Sequence, residues 1–343
     1  MGSTPRHVQL EAAIAAAPAD AERWLVYADW LLQQGAPRGE LIRLDVEVAR
    51  SDEAARRDTL RQHAAAVAAS LAFDRALGPS SRRTFGFVTS ATLGYAALDF
   101  VAEHPGDDFL AGDARLERLG PLLSHEDARY LEELSLQTAG PGDWATALEL
   151  VRARAPASLR RLSLYARQSA ELPAGEVLPP ALRALRLEAG QLGAEALRAP
   201  GLHVLDVEAA GFEPWVTDAL GASELPALST LRLSARYTPL APALRPLLAA
   251  RWPALAHLAL HGLVLWPEDL RALARSGVVA RLVSLDFSFS VFPEPDSPLV
   301  VTGLTAVARA APHLARLDVS GCALPPASLA ALGEALPGVT VDG

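Results

Sequence analysis

The stretch "LARLDVSGCALPPASLAALGEALPGVTV" runs from Leu314 to Val341. Apolar residues stand at Leu314, Leu317 and Val319, then at Cys322 and Leu324. Leu317 and Val319 alternate with polar neighbours, which is strand periodicity. In "PASLAALGEAL" (326–336) the leucines recur at helical intervals. The opening pattern, L-x-x-L-x-L, recurs upstream as "LEELSL" at Leu131, "LRRLSL" at Leu159, "LRALRL" at Leu182 and "LHVLDV" at Leu202. It continues as "LSTLRL" at Leu228, "LAHLAL" at Leu255 and "LVSLDF" at Leu282, and "LPGVTV" at Leu336 is a truncated copy. Successive starts lie between 20 residues (Leu182 to Leu202) and 32 residues (Leu282 to Leu314) apart. One short strand and one helix per unit cannot bury their own apolar face, whereas stacked units can, with the strands in a parallel sheet. Pro226, Pro253 and Pro312 stand just ahead of the next strand, where they stop the preceding helix.

This spacing resembles the leucine-rich repeat family, whose unit is L-x-x-L-x-L-x-x-N/C-x-L. The resemblance covers about residues 131–343, and Leu314, Leu317, Val319, Cys322 and Leu324 match best. It implies an α/β solenoid, a horseshoe with parallel strands on the concave side and helices on the convex side. The family's asparagine ladder is missing: the ninth position holds Ala139, Arg167, Gly190, Ala210, Arg236, Leu263 and Ser290 in the other units.

Residues 1–83 read differently, as an N-terminal α-helical domain. Ile14, Trp24, Leu25, Ala28, Leu31 and Leu32 recur at helical spacing, and Gly35 and Pro37 interrupt it. The pattern predicts a helical hairpin followed by a longer amphipathic helix. The run "LVYADWLLQQGAPRGELIRLDVEVA" (25–49) resembles the repeat-companion domain of bacterial repeat proteins. It matches that domain's pattern through Leu25–Leu31, at Gly35, through Pro37–Glu40 and at Ile42–Leu44, and departs at Leu32, Gln33, Ala36 and Leu41. The resemblance implies architecture and no chemistry. Asp29 is placed to cap or pair with Arg38, and Trp24 and Trp30 to form core aromatics. "RRTFGFVTSATLG" (82–94) reads as a first strand, "YAALDFVAEH" (95–104) as a helix, and a further short helix is expected near 114–123. The expected division is thus 1–83 helical, 84–130 a capping or degenerate repeat, and 131–343 the solenoid.

Composition narrows the function. The net charge is −9, with no basic stripe, so nucleic acid is not expected as a partner. No apolar run reaches about eighteen residues, and the N-terminus lacks the charged start and apolar core of a signal peptide, so a cytoplasmic protein without membrane contact is expected. Lysine and asparagine are absent, which removes Walker and Schiff-base lysines and N-glycosylation sites. Cys322 is the only cysteine. Motifs of serine hydrolases, zincins, P-loops and dinucleotide-binding folds are also absent, so neither catalysis, cofactor nor metal is expected.

Small polar clusters have structural readings. His104, Asp107 and Asp108 read as a polar loop. Ser124 and Asp127 read as a near capping box, with His125 and Glu126 exposed in its first turn. His257 and His261, read as adjacent outward positions of one strand face, would need a third ligand such as Asp286 to hold a metal. Phe289, Val291, Phe292 and Pro293, in the insertion "FSFSVFPEPDSP" (287–298), either pack on the solenoid edge or form an apolar contact site.

The outward strand positions form three mainly polar columns. This surface suits a folded protein partner of complementary charge. The candidate partner-binding residues are Tyr165, Arg186, Arg232, His257, His261, Asp286 and Asp318. The expected role is a non-catalytic interaction scaffold or recognition module. The alternatives are an accessory or regulatory subunit of an enzyme complex docked through the helical domain, and an enzyme of unrecognised type.

Overall fold

The computed structural model describes residues 5–71, 74, 81–93, 113–138, 143–171, 178–193, 196–210, 214–239 and 247–343. The helix expected at 95–104, His104, Asp107, Asp108 and Ala139 lie outside the described residues, as do the side chains of Arg167 and Arg236. The chain divides into two compact units: residues 1–109, 113–136 and 154–159, and residues 110–112, 137–153 and 160–343.

The first unit begins with α1 (Val8–Ala16), α2 (Ala21–Gln33), α3 (Arg38–Arg50) and α4 (Ala54–Ser70). Asp20 caps α2 by accepting the Glu22 N–H, which supplies one of the partners that a helix N-terminus lacks. The expected single long helix after Pro37 is two helices, because the backbone turns extended at Ser51 and Glu53. Trp24, Tyr27, Ala28, Leu31 and Ile42 form a core with Phe87, and Trp30 packs against it while partly exposed.

The segment read as one strand is a hairpin, β1 (Arg82–Thr84) and β2 (Phe87–Leu93), paired antiparallel. Its two-residue turn holds Phe85 and Gly86 at φ 47° and 81°, and two positive φ values define the tight hairpin turn. A Cβ on Gly86 would stand 2.6 Å from a side-chain carbon of Ile42. β2 then pairs in parallel with β3 (Glu133–Thr138). Between them lie α5 (Asp113–Leu123), close to the expected short helix, and a 3-10 helix at Glu126–Tyr130.

Arg38 sits at the centre of this unit, 1% exposed. It donates to the Gly86 carbonyl (2.6 Å) and to Asp127 Oδ2 (2.9 Å), lies 2.7 Å from Asp74 Oδ2, and stacks 5.2 Å from the Phe87 ring centroid. Two expectations are corrected here. Asp29 pairs with Arg43, because both face solvent on α2 and α3 while Arg38 turns inward. Asp127 belongs to the buried cluster rather than to a capping box, and His125 Nδ1 caps the turn by accepting the Asp127 N–H.

The second unit carries β4 (Arg161–Glu171), β5 (Ala184–Gly193), β6 (Val204–Ala209), β7 (Thr230–Pro239), β8 (His257–Val264), β9 (Ser284–Asp286), β10 (Arg316–Asp318) and β11 (Thr340–Asp342). They pair in parallel and in sequence order. The repeat leucines stand in register: Leu162, Leu185, Leu205, Leu231, Leu258, Leu285 and Leu317 form one buried row. Burying each such side chain contributes about 1.5–3 kcal/mol.

Helices return the chain between strands: α6 (Asp143–Arg154), α7 (Pro214–Gly221), α8 (Pro267–Ala274), α9 (Pro298–Ala310) and α10 (Pro326–Ala335). Leu258 and Leu260 of β8 meet Leu273 of α8 across one apolar space. The expected helix in every unit does not hold, since residues 196–203 between β5 and β6 contain none. That is the shortest repeat. Parallel order, leucine register and returning helices make this unit a leucine-rich-repeat-like α/β solenoid.

The missing asparagine ladder has local substitutes. Ser290 Oγ donates to the Leu260 carbonyl (2.7 Å) and accepts the Leu263 N–H (3.3 Å). Cys322 Sγ donates to the Phe287 carbonyl at 3.0 Å, and Thr138 Oγ1 to that of Tyr165 at 3.2 Å. Elsewhere the ladder itself continues: after a register shift, β4 still pairs with β5 at Ser169–Glu171, and β7 with β8 at Thr238–Pro239.

Candidate functional site

Strand pairing fixes which outward residues are neighbours. Ser163, Arg186, Asp206, Arg232, Ala259, Asp286 and Asp318 follow one another across β4–β10 in one row. Tyr165, Glu188, Glu208, Ser234 and His261 form a second row, and Arg161, Ala184, Val204, Thr230, His257, Ser284 and Arg316 a third. Ala259 is the one buried member of the first row, because its methyl group leaves a depression between Arg232 and Asp286.

The seven candidate residues fall into two groups. Tyr165 and Arg186 meet on β4 and β5, with the guanidinium 5.8 Å from the ring centroid. Arg186 Nη2 also lies 3.1 Å from Glu188 Oε2 and 3.1 Å from Glu208 Oε2. Partial burial opposes its charge, and Asp206, Tyr165 and Glu188 outweigh that and raise its pKa. Arg186 is thus committed to its own neighbours.

The second group lines a groove of about 310 Å³ over β7–β10. Arg232, His257, Asp286 and Asp318 are all on its walls, with Arg316, Thr230 and Ser284. His261 stands beside it, its Nε2 2.9 Å from Asp286 Oδ2. Burial pushes the Asp286 carboxyl up, but the bonds from His261 and Ser288 prevail and hold it down at about 2. Asp318 accepts from the Ser320 N–H and hydroxyl and from Arg316 Nη2 at 3.1 Å. Arg316 Nε reaches Asp342 at 2.7 Å.

His257 and His261 are separated by Ala259, so they are alternate and not adjacent outward positions. His257 Nδ1 is 2.7 Å from Ser284 Oγ, and His261 turns to Asp286, so the pair does not converge. Among the described residues no group of three His, Cys, Asp or Glu side chains is arranged to hold a metal ion. Burial pushes the Cys322 thiol up to about 11, against the bond from the Ser290 backbone.

Two features escaped the sequence reading. Arg316 links Asp318 to Asp342, a cross-strand contact visible only once register is known. The insertion divides: Phe287 and Phe292 are buried, whereas Phe289 is 67% exposed at φ 60°. The Phe289 N–H donates to the Ser320 carbonyl at 2.8 Å, and its ring covers Gly321, where a Cβ would stand 2.8 Å from ring carbon Cδ1. Among the described residues no helix is long and apolar enough to cross a membrane.

No protein-family model matches the sequence, and no curated protein matches it. Solved structures do. A protein from Bacteroides fragilis superposes with a TM-score of 0.54 at 16% identity, covering 74% of this chain and 74% of that one. The crystal structure of a TLR13–ssRNA13 complex gives 0.39 at 17% identity, over 65% of this chain and 33% of that chain. The leucine-rich repeat-containing protein LegL7 from Legionella pneumophila gives 0.39 at 15%, over 74% of this chain and 80% of that one. At these identities the likeness is one of fold, and the Bacteroides fragilis protein carries it.

Proposed function

We propose that the chain is a non-catalytic protein-interaction module that binds a protein partner on the open face of its sheet. The groove over β7–β10 is the observation that carries this reading, because four of the candidate residues line it. Arg232, His257, Asp286 and Asp318 would make the central contacts, with His261 beside them and Tyr165 and Arg186 as a second patch. Mixed, preorganised charges favour specificity and fast encounter with a complementary protein. We take the division into residues 1–83, 84–130 and 131–343 as the working organisation, with a repeat-companion domain first, in a bacterial cytoplasmic setting.

The test is capture from native-host lysate by tagged full-length protein, beside a variant with Tyr165, Arg232, His261 and Asp286 changed to alanine. A partner retained by wild type and lost by the folded variant supports the reading. A partner retained equally by both moves the contact to the helical segment or to Phe289.

A further inference from the structure

We infer that the groove over β7–β10 takes an extended protein segment of mixed charge, with an acidic side chain against Arg232 and a basic one against Asp286 and Asp318. This rests on the protein-binding reading above and adds the chemistry of the occupant.

The two walls differ. Arg232 is exposed, and among the described residues it has no hydrogen-bond or ion-pair partner, whereas Arg186 and Arg316 are each tied to two carboxylates. A free guanidinium presents its forked donors to a planar carboxylate. On the opposite wall, Asp286 and Asp318 are held in place by the backbone N–H groups of Ser288 and Ser320. Their side chains are 32% and 15% exposed. Each ionised carboxylate still offers acceptor positions beyond those used.

The floor sets the distance. Ala259 lies between Arg232 and Asp286 in register, so the two walls are two strand spacings apart, about 10 Å. An extended segment places alternate side chains on one face, about 7 Å apart for neighbours and about 13 Å for the next pair. An acidic and a basic residue two or four positions apart, with long side chains, span the groove.

Other charge patterns fit less well. A segment of acids alone meets Asp286 and Asp318, and a segment of bases alone meets Arg232, His257 and Arg316. A phosphate backbone is repelled by the same carboxylates. Phe289, exposed and bonded through its N–H to the Ser320 carbonyl two residues beyond Asp318, is an apolar side chain outside the groove lining.

The test is selection of a displayed library of random linear peptides on the full chain, followed by titration of synthesised winners. Winners should pair Asp or Glu with Lys or Arg two or four residues apart. They should lose about tenfold or more in affinity on Arg232→Glu and regain it on Arg232→Glu/Asp318→Arg when their own charges are exchanged. Arg232→Gln, at an exposed position, keeps the fold and should show an intermediate loss. Winners that lack this spacing, or that bind Arg232→Glu unchanged, overturn the inference. If such winners are instead lost on Arg186→Glu, the open-face reading survives without it. No enrichment at all overturns the mixed-charge segment, and the lysate capture then decides the broader reading alone.

Discussion

Arg38 and Asp127 stand 89 residues apart in the chain and meet at 2.9 Å, with side chains 1% and 7% exposed. The contact ties α3 to the 3-10 helix, and the same guanidinium reaches the hairpin turn through Gly86 and approaches Asp74. Burial pushes the Asp74 carboxyl up against the pull of Arg38, so the cluster is costly unless complete. Arg38→Met leaves buried carboxylates without their cation and should cost about 3–5 kcal/mol in urea unfolding. Arg38→Lys should recover little, because one ammonium cannot reproduce the forked contacts. Combining Arg38→Met with Asp127→Asn should cost less than the two single changes added. An unchanged midpoint for Arg38→Met would show that the pair contributes nothing.

The solenoid was legible because its signal is periodic and local. Leu162, Leu185, Leu205 and their successors each carry the same neighbours, and period alone assigned them to one buried row. The outward rows followed from the same register. Long-range pairing was not legible. Nothing near Arg38 pointed to a partner beyond residue 120, so Asp29 was the natural candidate, and it is bound to Arg43 instead. The hairpin escaped because Phe85 is a poor marker for a positive φ. That the candidate residues stand at outward strand positions was legible, and their grouping was not: that Arg186 is ion-paired, and that Arg232 has no such partner among the described residues, depends on side-chain geometry.

Asp286 should make stability depend on pH. Against the upward push of burial, the His261 and Ser288 contacts hold its folded pKa down at about 2, below the ordinary range of an aspartate. Stability from a depressed carboxylate is present above the unfolded value and is lost as pH falls through the folded one. Asp286→Asn should therefore lower stability near neutrality by about 1 kcal/mol, after discounting for partial exposure. The gap should persist at pH 6 and close as pH falls from about 4 towards 2. Paired denaturation curves across that range check this, and a gap independent of pH would assign the loss to packing.

Ser290 should matter more than its size suggests. It is 1% exposed and serves the Leu260 carbonyl and the Leu263 N–H at once. Ser290→Ala leaves both backbone groups unsatisfied and should cost about 1–3 kcal/mol. Ser290→Cys should recover part of this, since Cys322 plays the corresponding role one repeat later with a thiol donor. Chemical denaturation of the three proteins at one pH decides it. Equal stability of wild type and Ser290→Ala would mean that the two backbone groups find other partners.

Phe289 separates stability from binding. Its φ of 60° costs a bulky side chain about 1 kcal/mol or more, and its ring is 67% exposed, so little burial offsets that cost. Asparagine tolerates this conformation better than phenylalanine. Phe289→Asn should therefore leave the thermal midpoint unchanged or raise it by a few degrees, the loss of ring contact with Gly321 limiting the gain. If the ring is retained for partner contact, the same variant should weaken binding of a groove-bound protein by about tenfold or more, as truncation of an exposed aromatic anchor does. A midpoint that drops with binding unchanged would instead mark Phe289 as a structural cover for Gly321.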